Sequence, residues 1–404
     1  MAAIRTGLGL ALALTLTLGA TTALAQKAYG PGVTDTEITF GNTMPYSGPA
    51  SSLGTVGKIM SAYFAMINEK GGVNGRKLNM ISLDDGFAPP KTVEAAKRLV
   101  ENDQVAFVYG TMGTAPSSAI AKYLNVNKVP QIFAISSASK WNDPKGMPYS
   151  IALPWAPNYM NEANFDVAYA LQKNPKATFA VLYQNDDSGK DYVKGLNEAF
   201  AKMPDKLLKM TPFEVTDPTV DSQVVSLAAT KADVFLIYSV TPRACAQAIR
   251  KAYEIGWRPM RFLSSGCANI ETILKPAGLD AAKDIITLAS IKPLDPSAKD
   301  PELDAYVDFI KTRVPGVDPN YGSGEYAYFS AAALVELLKQ CGDNLTRENI
   351  LKQASNLKGV KAPLLLPGIT LNTTPDDYTP LRDGYLMQFN GEKFVVISDL
   401  MKGK

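Results

Sequence analysis

The best candidates for general acid–base catalysis in this sequence are two pairs of neighbouring acids, Asp84-Asp85 and Asp186-Asp187. Paired carboxylates hydrolyse glycosides when they face each other across a cleft, but neighbours in the chain project apart. Surface solvation or turn formation is therefore favoured for both pairs, and Asp186-Asp187 is also a candidate cap of the following helix. Histidine is absent from all 404 residues, which excludes Ser-His-Asp and Cys-His catalysis and removes the commonest metal ligand. An exported carboxylate enzyme is the least favoured function, and no cofactor or metal is predicted.

Two segments that follow predicted strands, 110–116 and 136–139, are rich in small hydroxyl-bearing residues. The first also opens a predicted helix at Ala115 or Pro116. Free backbone N–H groups and the helix dipole hold an anion at such a place without a full countercharge. The two segments are therefore suited to hold an anion. Thr114 is also a candidate N-cap of the helix, and the two roles are compatible.

The N-terminal residues 1–25 have the pattern of a secretory signal peptide. Arg5 gives the positive start, an apolar stretch follows over 8–18, and Ala23-Leu24-Ala25 is a small-x-small cleavage site before Gln26. We therefore expect an exported protein, with the bacterial periplasm as its simplest destination. The formal net charge of +2 gives no reason to expect nucleic acid or an anionic membrane surface as a partner.

Three cysteines, Cys245, Cys267 and Cys341, would lie in an oxidising compartment. The simplest pairing of three cysteines is one disulfide with one free thiol, and the alternative is three buried unpaired thiols. Cys245 and Cys267 each follow a predicted strand, so the two thiols can meet at neighbouring strand ends. This pair is favoured.

Strand-like and helix-like segments alternate along the chain, which predicts an α/β fold with parallel sheets covered by helices. Strands are predicted at 37–42, 77–83, 105–109, 131–135, 178–183, 207–213, 233–238 and 261–263. Helices are predicted at 54–70, 91–101, 115–125, 159–173, 190–202, 220–230, 242–255, 301–313, 324–341 and 346–357. Two similar units meet near Leu153-Pro154. A hairpin over 384–389 and 393–398, with Asn390-Gly391 at its turn, ends the chain.

Several segments, taken in their order and spacing, resemble those of type I periplasmic solute-binding proteins of ABC importers, in the branched-chain amino acid class. They are GNTMPYSGP at 41–49, INEKGGVNGRK at 67–77, the acids Asp84-Asp85, VAFVYGT at 105–111, VPQIF at 129–133 and VLYQNDDSGK at 181–190. The resemblance covers essentially the whole exported chain. It implies a binding protein, a monomer, that closes around a small molecule and delivers it to an inner-membrane ABC permease with its ATPase.

The same resemblance implies two Rossmann-like lobes with parallel sheets, joined by a hinge of three chain segments. Crossings are expected near Leu153-Pro154, near Ser290-Ile291 and over 363–380. Lobe one would comprise 27–153 and 291–362, and lobe two 154–290 and 363–404.

For the ligand, the resemblance assigns carboxylate binding to Thr114 and Ser139, with a backbone contact at Ser137 between them. The further residues expected around the cleft are Tyr46, Met112, Gly113, Ala138, Tyr159, Ser188, Thr241, Ser265 and Tyr321. This sequence departs from the family pattern at two of these positions. Ser265 stands where amino acid receptors carry the glutamate that pairs with the ligand ammonium, and Ser188 stands where an aromatic residue closes over the ligand.

Neither serine can neutralise an ammonium, and a desolvated ammonium without a carboxylate is costly. We therefore expect a carboxylate ligand without an α-amino group, aromatic or aliphatic. Asp186 and Asp187 are alternative replacement acids. Trp141 and Trp155 flank the first crossing and either pack the hinge or stack on a ligand ring. An amino acid or amide or urea receptor, and a ligand sensor for a membrane kinase or chemoreceptor, remain alternatives.

Overall fold

A computed structural model describes residues 27–295, 298–321 and 323–403 of the chain. The predicted signal peptide, residues 1–25, lies outside the described residues. Within the described ranges, no helix combines the length and the apolar character needed to cross a membrane.

Fifteen strands and twelve α-helices follow one another along the described residues. The strands are β1 (Ala28–Tyr29), β2 (Glu37–Met44), β3 (Lys77–Asp84), β4 (Val108–Tyr109), β5 (Gln131–Ala134), β6 (Ser150–Ala152), β7 (Phe179–Gln184), β8 (Leu207–Phe213), β9 (Val234–Tyr238), β10 (Met260–Leu263), β11 (Ile286–Ala289), β12 (Asn344–Leu345), β13 (Asp383–Phe389), β14 (Phe394–Val396) and β15 (Met401–Lys402). The helices are α1 (Thr55–Glu69), α2 (Pro89–Lys97), α3 (Thr114–Val126), α4 (Tyr159–Lys173), α5 (Asp187–Phe200), α6 (Asp221–Ala228), α7 (Pro242–Glu254), α8 (Lys275–Ala277), α9 (Leu279–Ala282), α10 (Pro301–Arg313), α11 (Gly324–Cys341) and α12 (Arg347–Ala354).

The first sheet has five parallel strands in the order β3-β2-β4-β5-β6. Its strands β4, β5 and β6 are short and wholly buried, as expected where helices cover both faces of a parallel sheet. An aromatic group fills one side, where the Phe40 ring lies 5.2 Å from Phe64 and 5.0 Å from Phe107. Helix α11 packs on α1 at this side, and the Tyr109 and Ser330 hydroxyls lie 2.8 Å apart.

The second sheet runs β8-β7-β9-β10-β11-β13-β14, with β15 beside β13. Strands β7 to β11 are parallel, and β13 is antiparallel to β11 and β14. The chain passes from the first sheet to the second after β6, returns after β11 to place α10 and α11 against α1, and passes again after α12. In each sheet the parallel strands direct their carboxyl ends toward one edge, where ligand sites form in such folds.

The predicted α/β fold with two parallel-rich sheets is confirmed. Predicted helices 159–173, 301–313 and 324–341 and strand 207–213 have the predicted bounds. Strand 105–109 is too long in the prediction, since β4 holds only Val108–Tyr109. The hairpin of β13 and β14 forms, and Gly391 at its turn has φ 105°. The residue boundaries predicted for the two lobes remain predictions.

Candidate ligand-binding cleft

The loop between β4 and α3 presents unpaired backbone donors. Gly113, with φ +94°, is the residue before the helix, so Thr114 is the first helical residue and its expected role as N-cap is wrong. Pro116 has no N–H group, and the Ser117 N–H group bonds to the Gly113 carbonyl at 3.0 Å. The N–H groups of Thr114 and Ala115 therefore stay available to a ligand, at the positive end of the helix dipole.

Ser136 joins this loop to the loop after β5. The Thr114 and Ser136 hydroxyls lie 2.7 Å apart, and Ser136 Oγ also accepts the Trp141 indole N–H group at 2.8 Å. From the second lobe, the Tyr159 phenol lies near Thr114, and burial raises the pKa of Tyr159 to about 12. The Tyr159 N–H group also bonds to the Ser137 carbonyl at 2.9 Å. Thr114 and Tyr159 thus face each other where the lobes meet.

The interlobe cleft is the space around these two side chains. Its walls are Leu53, Phe87, Met112, Gly113, Thr114, Ile135, Trp155, Tyr159, Val240 and Gly266. Every one of these residues is uncharged. The space is about 20 Å³, room for about one water molecule. The lobes are therefore in contact at this point.

A larger cavity of about 460 Å³ adjoins the cleft and shares Trp155 and Gly266 with it. Ser265 lies in its wall. The Trp155 ring packs against Tyr326 with centroids 4.3 Å apart, so this tryptophan forms part of the boundary between the two spaces. Cavities of this volume hold small organic molecules.

Glu162 lies directly behind Ser265 and is not among the residues predicted from the sequence. The Ser265 N–H group donates to one Glu162 carboxylate oxygen at 2.6 Å, and the Ser265 hydroxyl donates to the other at 3.1 Å. Glu162 is only 1% exposed, and burial raises its pKa to about 7. Asp166, one helical turn further, is also buried with its pKa raised by burial, and accepts a hydrogen bond from the Tyr192 phenol at 2.9 Å.

One signal in the sequence would have found Glu162 and Asp166. They stand four residues apart on the face of α4 that carries Tyr159, Ala163 and Val167, all buried. Two acids on the apolar face of a helix are not a solvated surface. Glu162 is in neither the wall of the interlobe cleft nor that of the larger cavity.

Hydrogen-bond donors of the loop after β5 are already bonded to a carboxylate of the protein itself. Asp191 of α5 accepts hydrogen bonds from the Ser139 N–H group at 2.7 Å and from the Ser139 hydroxyl at 2.5 Å. Nearby, Lys140 and Asp187 form an ion pair of 2.9 Å across the same boundary. Ser137, Ala138 and Ser139 line a small pocket beside the chain crossings rather than the interlobe cleft. The donors of Ser139 thus hold the second lobe in this structure.

We expect Asp191→Ala to weaken contact between the lobes. It removes a carboxylate with two bonds to Ser139, worth about 2 kcal/mol of the closed state. Small-angle X-ray scattering of the ligand-free protein should show a larger radius of gyration. Glu198→Ala, an exposed change on the same helix, is the control. Equal radii for both variants would contradict this role of Asp191.

Four other predicted site residues make contacts away from the interlobe cleft. The Tyr46 phenol lies 2.6 Å from the Ser82 hydroxyl. The Thr241 hydroxyl donates to the Gln184 side-chain oxygen at 2.8 Å. Ser188 is buried in the first turn of α5, where it bonds to Asp186. Tyr321 places its phenol near Ser52 and Thr55. Of the predicted residues, Met112, Gly113, Thr114 and Tyr159 are brought together in the cleft, and Ser265 lines the cavity beside it.

Both acid pairs form turns and caps. Asp186 is the N-cap of α5 and accepts from the Ser188 and Gly189 N–H groups, while Asp187 pairs with Lys140. Asp84 accepts the Ser47 and Gly86 N–H groups at 3.1 and 3.0 Å. Asp85 accepts the Phe87 N–H group at 2.9 Å and the Thr92 hydroxyl at 3.0 Å. Their contacts match the structural roles expected for them.

Cys245 and Cys267 form a disulfide in the structure, between α7 and the turn that follows β10. Cys341 is a buried free thiol, and burial raises its pKa to about 12. The disulfide ties down Cys267, which is adjacent to the cleft residue Gly266. Among the described residues, no group of three or more cysteines and acids is placed to hold a metal ion.

Two α/β lobes, three chain crossings and a cleft at the carboxyl ends of strands define a hinged solute-binding protein. Residues 37–393 match the family model of periplasmic binding proteins, so the chain belongs to that family. It is a type I protein of the branched-chain amino acid class, a solute-binding receptor of an ABC transporter and not an enzyme. Proteins of this family are periplasmic and act with ABC permeases.

Three relatives illustrate the likeness. The Leu/Ile/Val-binding protein of Escherichia coli K12 is 24% identical over 306 residues, 74% of this chain and 78% of the relative. A fatty acid ABC transporter substrate-binding protein from Thermomonospora curvata is 22% identical, with a TM-score of 0.77 over 94% of this chain and 95% of that chain. A solute-binding protein from R. palustris, in complex with 4-hydroxybenzoate, is 15% identical, with a TM-score of 0.75 over 91% of this chain and 97% of that chain. At these identities the structural likeness concerns the fold.

Proposed function

We propose that this receptor binds a small carboxylate without an α-amino group, aromatic or aliphatic, between its lobes. The observation that carries the proposal is the uncharged wall of the interlobe cleft. The lobes must open to admit a ligand, because the closed cleft beside Thr114 has room for about one water molecule only.

Lobe one supplies the donors for the carboxylate. The free N–H groups of Thr114 and Ala115 point from the start of α3, and the helix dipole favours a negative charge there. The Thr114 hydroxyl and the Tyr159 phenol are at the same place. No cation is needed, since buried N–H groups at a helix start stabilise a carboxylate by themselves.

Among the described residues of lobe two, no acid lines the interlobe cleft to pair with a ligand ammonium. Ser265 takes the family position of the ammonium-binding glutamate, and both oxygens of Glu162 behind it are already bonded to Ser265. An ammonium buried without a carboxylate would cost several kcal/mol. A ligand with the same skeleton and no amino group avoids that cost.

The body of the ligand meets rings and apolar side chains. Phe87, Trp155 and Tyr159 offer ring faces in the cleft, which suits an aromatic or aliphatic body. The fatty acid and 4-hydroxybenzoate named for two similar structures are carboxylates without an α-amino group, which supports the same ligand class. The partner would be an inner-membrane ABC permease with its ATPase, and the receptor a periplasmic monomer.

A thermal-shift screen of the exported form tests this ligand class with matched pairs. The pairs are leucine and 4-methylpentanoate, and phenylalanine and 3-phenylpropionate, with 4-hydroxybenzoate added. A ligand at 100 times its dissociation constant stabilises the protein by about 2.7 kcal/mol, which is measurable as a shift in Tm. We expect shifts with the acids and none with the amino acids. Shifts confined to the amino acids would refute the proposal.

Thr114→Val should weaken binding of whichever acid is found by about tenfold or more, since a hydrogen bond to a charged group contributes about 1.5 kcal/mol or more. Isothermal titration calorimetry measures the change. Ser118→Ala is the matched control, because Ser118 lies one turn further along α3 and its hydroxyl bonds to the Thr114 carbonyl at 2.6 Å. Equal losses in both variants would assign the effect to the helix rather than to the ligand contact.

A further inference from the structure

The larger cavity next to the cleft takes no part in the carboxylate site at Thr114. It lies between the turn after β10, the chain crossing after β11 and the start of α11. Apolar side chains form much of its wall: Ala268, Ile270, Leu288, Ile291, Leu294 and Phe394. Its volume of about 460 Å³ far exceeds the 20 Å³ of the interlobe cleft. In this structure, only the larger of these two spaces can hold a ligand of more than a few atoms.

The two spaces are neighbours. Trp155 and Gly266 line both, so a molecule whose carboxylate meets Thr114 passes these two residues to enter the larger cavity. Gly266 carries no side chain, and a Cβ there would lie 3.4 Å from Val240. Because Gly266 has no side chain, it does not narrow the connection between the interlobe cleft and the larger cavity.

Some charged side chains around the larger cavity have an ion-pair partner, and one acid does not. Lys275 pairs with Glu271 at 2.7 Å, and Lys292 pairs with Asp300 at 2.6 Å and Glu302 at 2.9 Å. Glu325, in the first turn of α11, also lines the cavity and has no ion-pair partner among the described residues. It is an acceptor that faces the cavity without a cation.

The Glu325 carboxyl group lies close to two backbone N–H groups. The Leu294 N–H group and its own N–H group are the hydrogen-bond donors near it, and burial raises its pKa to about 7. Tyr326, its neighbour in the chain, is fixed by a bond from its phenol to the Leu153 carbonyl at 2.7 Å and by packing on Trp155. Glu325 therefore lines the larger cavity next to Tyr326, which packs on Trp155 at the shared boundary of the two spaces.

We propose that the larger cavity binds the far end of the ligand and that Glu325 accepts a hydrogen bond from a hydroxyl or ammonium group there. The ligand class narrows to elongated carboxylates with a donor at the end opposite the carboxylate. This inference rests on the proposed carboxylate site at Thr114. It adds Glu325 as a specificity-determining residue on the other side of Trp155.

Two matched ligand series test this inference by calorimetry on the exported protein. One is hexanoate, 6-hydroxyhexanoate and 6-aminohexanoate, and the other is 3-phenylpropionate and 3-(4-hydroxyphenyl)propionate. We expect at least one donor-bearing member to bind about tenfold tighter than its plain partner. In Glu325→Met, which keeps the length and removes the acceptor, that preference should disappear while the plain acids bind as before.

Controls separate a local effect from loss of fold. Glu348→Met, an exposed change in the first turn of α12, should keep the wild-type preference. Glu325→Gln is the second variant if Glu325→Met does not fold, and it should reduce the preference for the 6-amino compound. Ala268→Phe should fill the cavity and weaken the elongated acids more than benzoate.

The outcomes distinguish the inference from the proposed function. Equal affinity of wild type for plain and donor-bearing acids, or a preference that survives Glu325→Met, would overturn the role of Glu325 and leave the carboxylate receptor standing. If no acid of either series binds, the proposed function fails and this inference falls with it.

Discussion

Glu162→Gln is expected to stabilise the protein by about 3 kcal/mol at pH 8 and by less than about 1 kcal/mol at pH 5. Glu162 is buried behind Ser265, and its pKa rises from 4.5 to about 7. The folded protein therefore holds a proton that the unfolded chain has lost, so its stability falls as the pH rises from about 4.5 through 7. A shift of this size corresponds to about 3 kcal/mol.

Glutamine is the informative replacement because it keeps both contacts with Ser265. Its side-chain oxygen accepts the Ser265 N–H group, and its amide nitrogen donates to the Ser265 hydroxyl, so only the buried charge is lost. Urea unfolding at pH 5 and pH 8 measures the effect. Glu198→Gln, at an exposed position on the neighbouring helix α5, should change neither value. A Glu162→Gln protein less stable than wild type at pH 8 would show that Glu162 is stabilised there as an anion.

Replacing both Cys245 and Cys267 with alanine is expected to lower the free energy of unfolding by about 3 kcal/mol. The disulfide links residues 22 positions apart, and closing a loop of this size restricts the unfolded chain by about that amount. Because Cys267 is adjacent to the cleft residue Gly266, the double variant should also bind its ligand more weakly. Chemical unfolding with and without a reductant measures the stability.

The third cysteine provides the control for this prediction. Cys341→Ala removes a buried thiol but no cross-link, so it should cost about 1 kcal/mol or less and respond to the reductant as wild type does. Under reducing conditions the gap between wild type and the double variant should close. Mass spectrometry that finds a bond from Cys341 to either other cysteine would contradict the pairing.

Local patterns were enough for most of the fold. Helix α4 and strand β8 have their predicted bounds because each is a complete run with its own start and stop signals, such as Asn158, which caps α4 by accepting the Asn161 N–H group. Strand β6 was missed because Ser150–Ala152 is three residues long and takes its structure from pairing with β5. Short strands are specified by their neighbours in the sheet rather than by their own sequence.

In the cleft, too, some residues were predicted from the sequence, whereas others are brought together only by the tertiary structure. Thr114 and Gly113 were expected because the family resemblance points to their loop, where a strand, a glycine and a helix start follow one another in the sequence. Ser139 was expected to bind the ligand, yet its donors hold Asp191, which is 52 residues away in the chain. Glu162 and Ser265 are 103 residues apart, and only the packing of α4 beside the turn after β10 brings them together. Such contacts depend on the tertiary structure and leave no local pattern.

The most direct test of a carboxylate site without an ammonium site is a titration of the exported protein with leucine and with 4-methylpentanoate, two molecules that differ only in the α-amino group. The uncharged cleft and the bonded Glu162 predict that the acid binds at least about 100-fold tighter, equivalent to ~2.7 kcal/mol. Tighter binding of leucine would contradict this proposal, because it would require a carboxylate to reach the ligand in a cleft whose walls carry none.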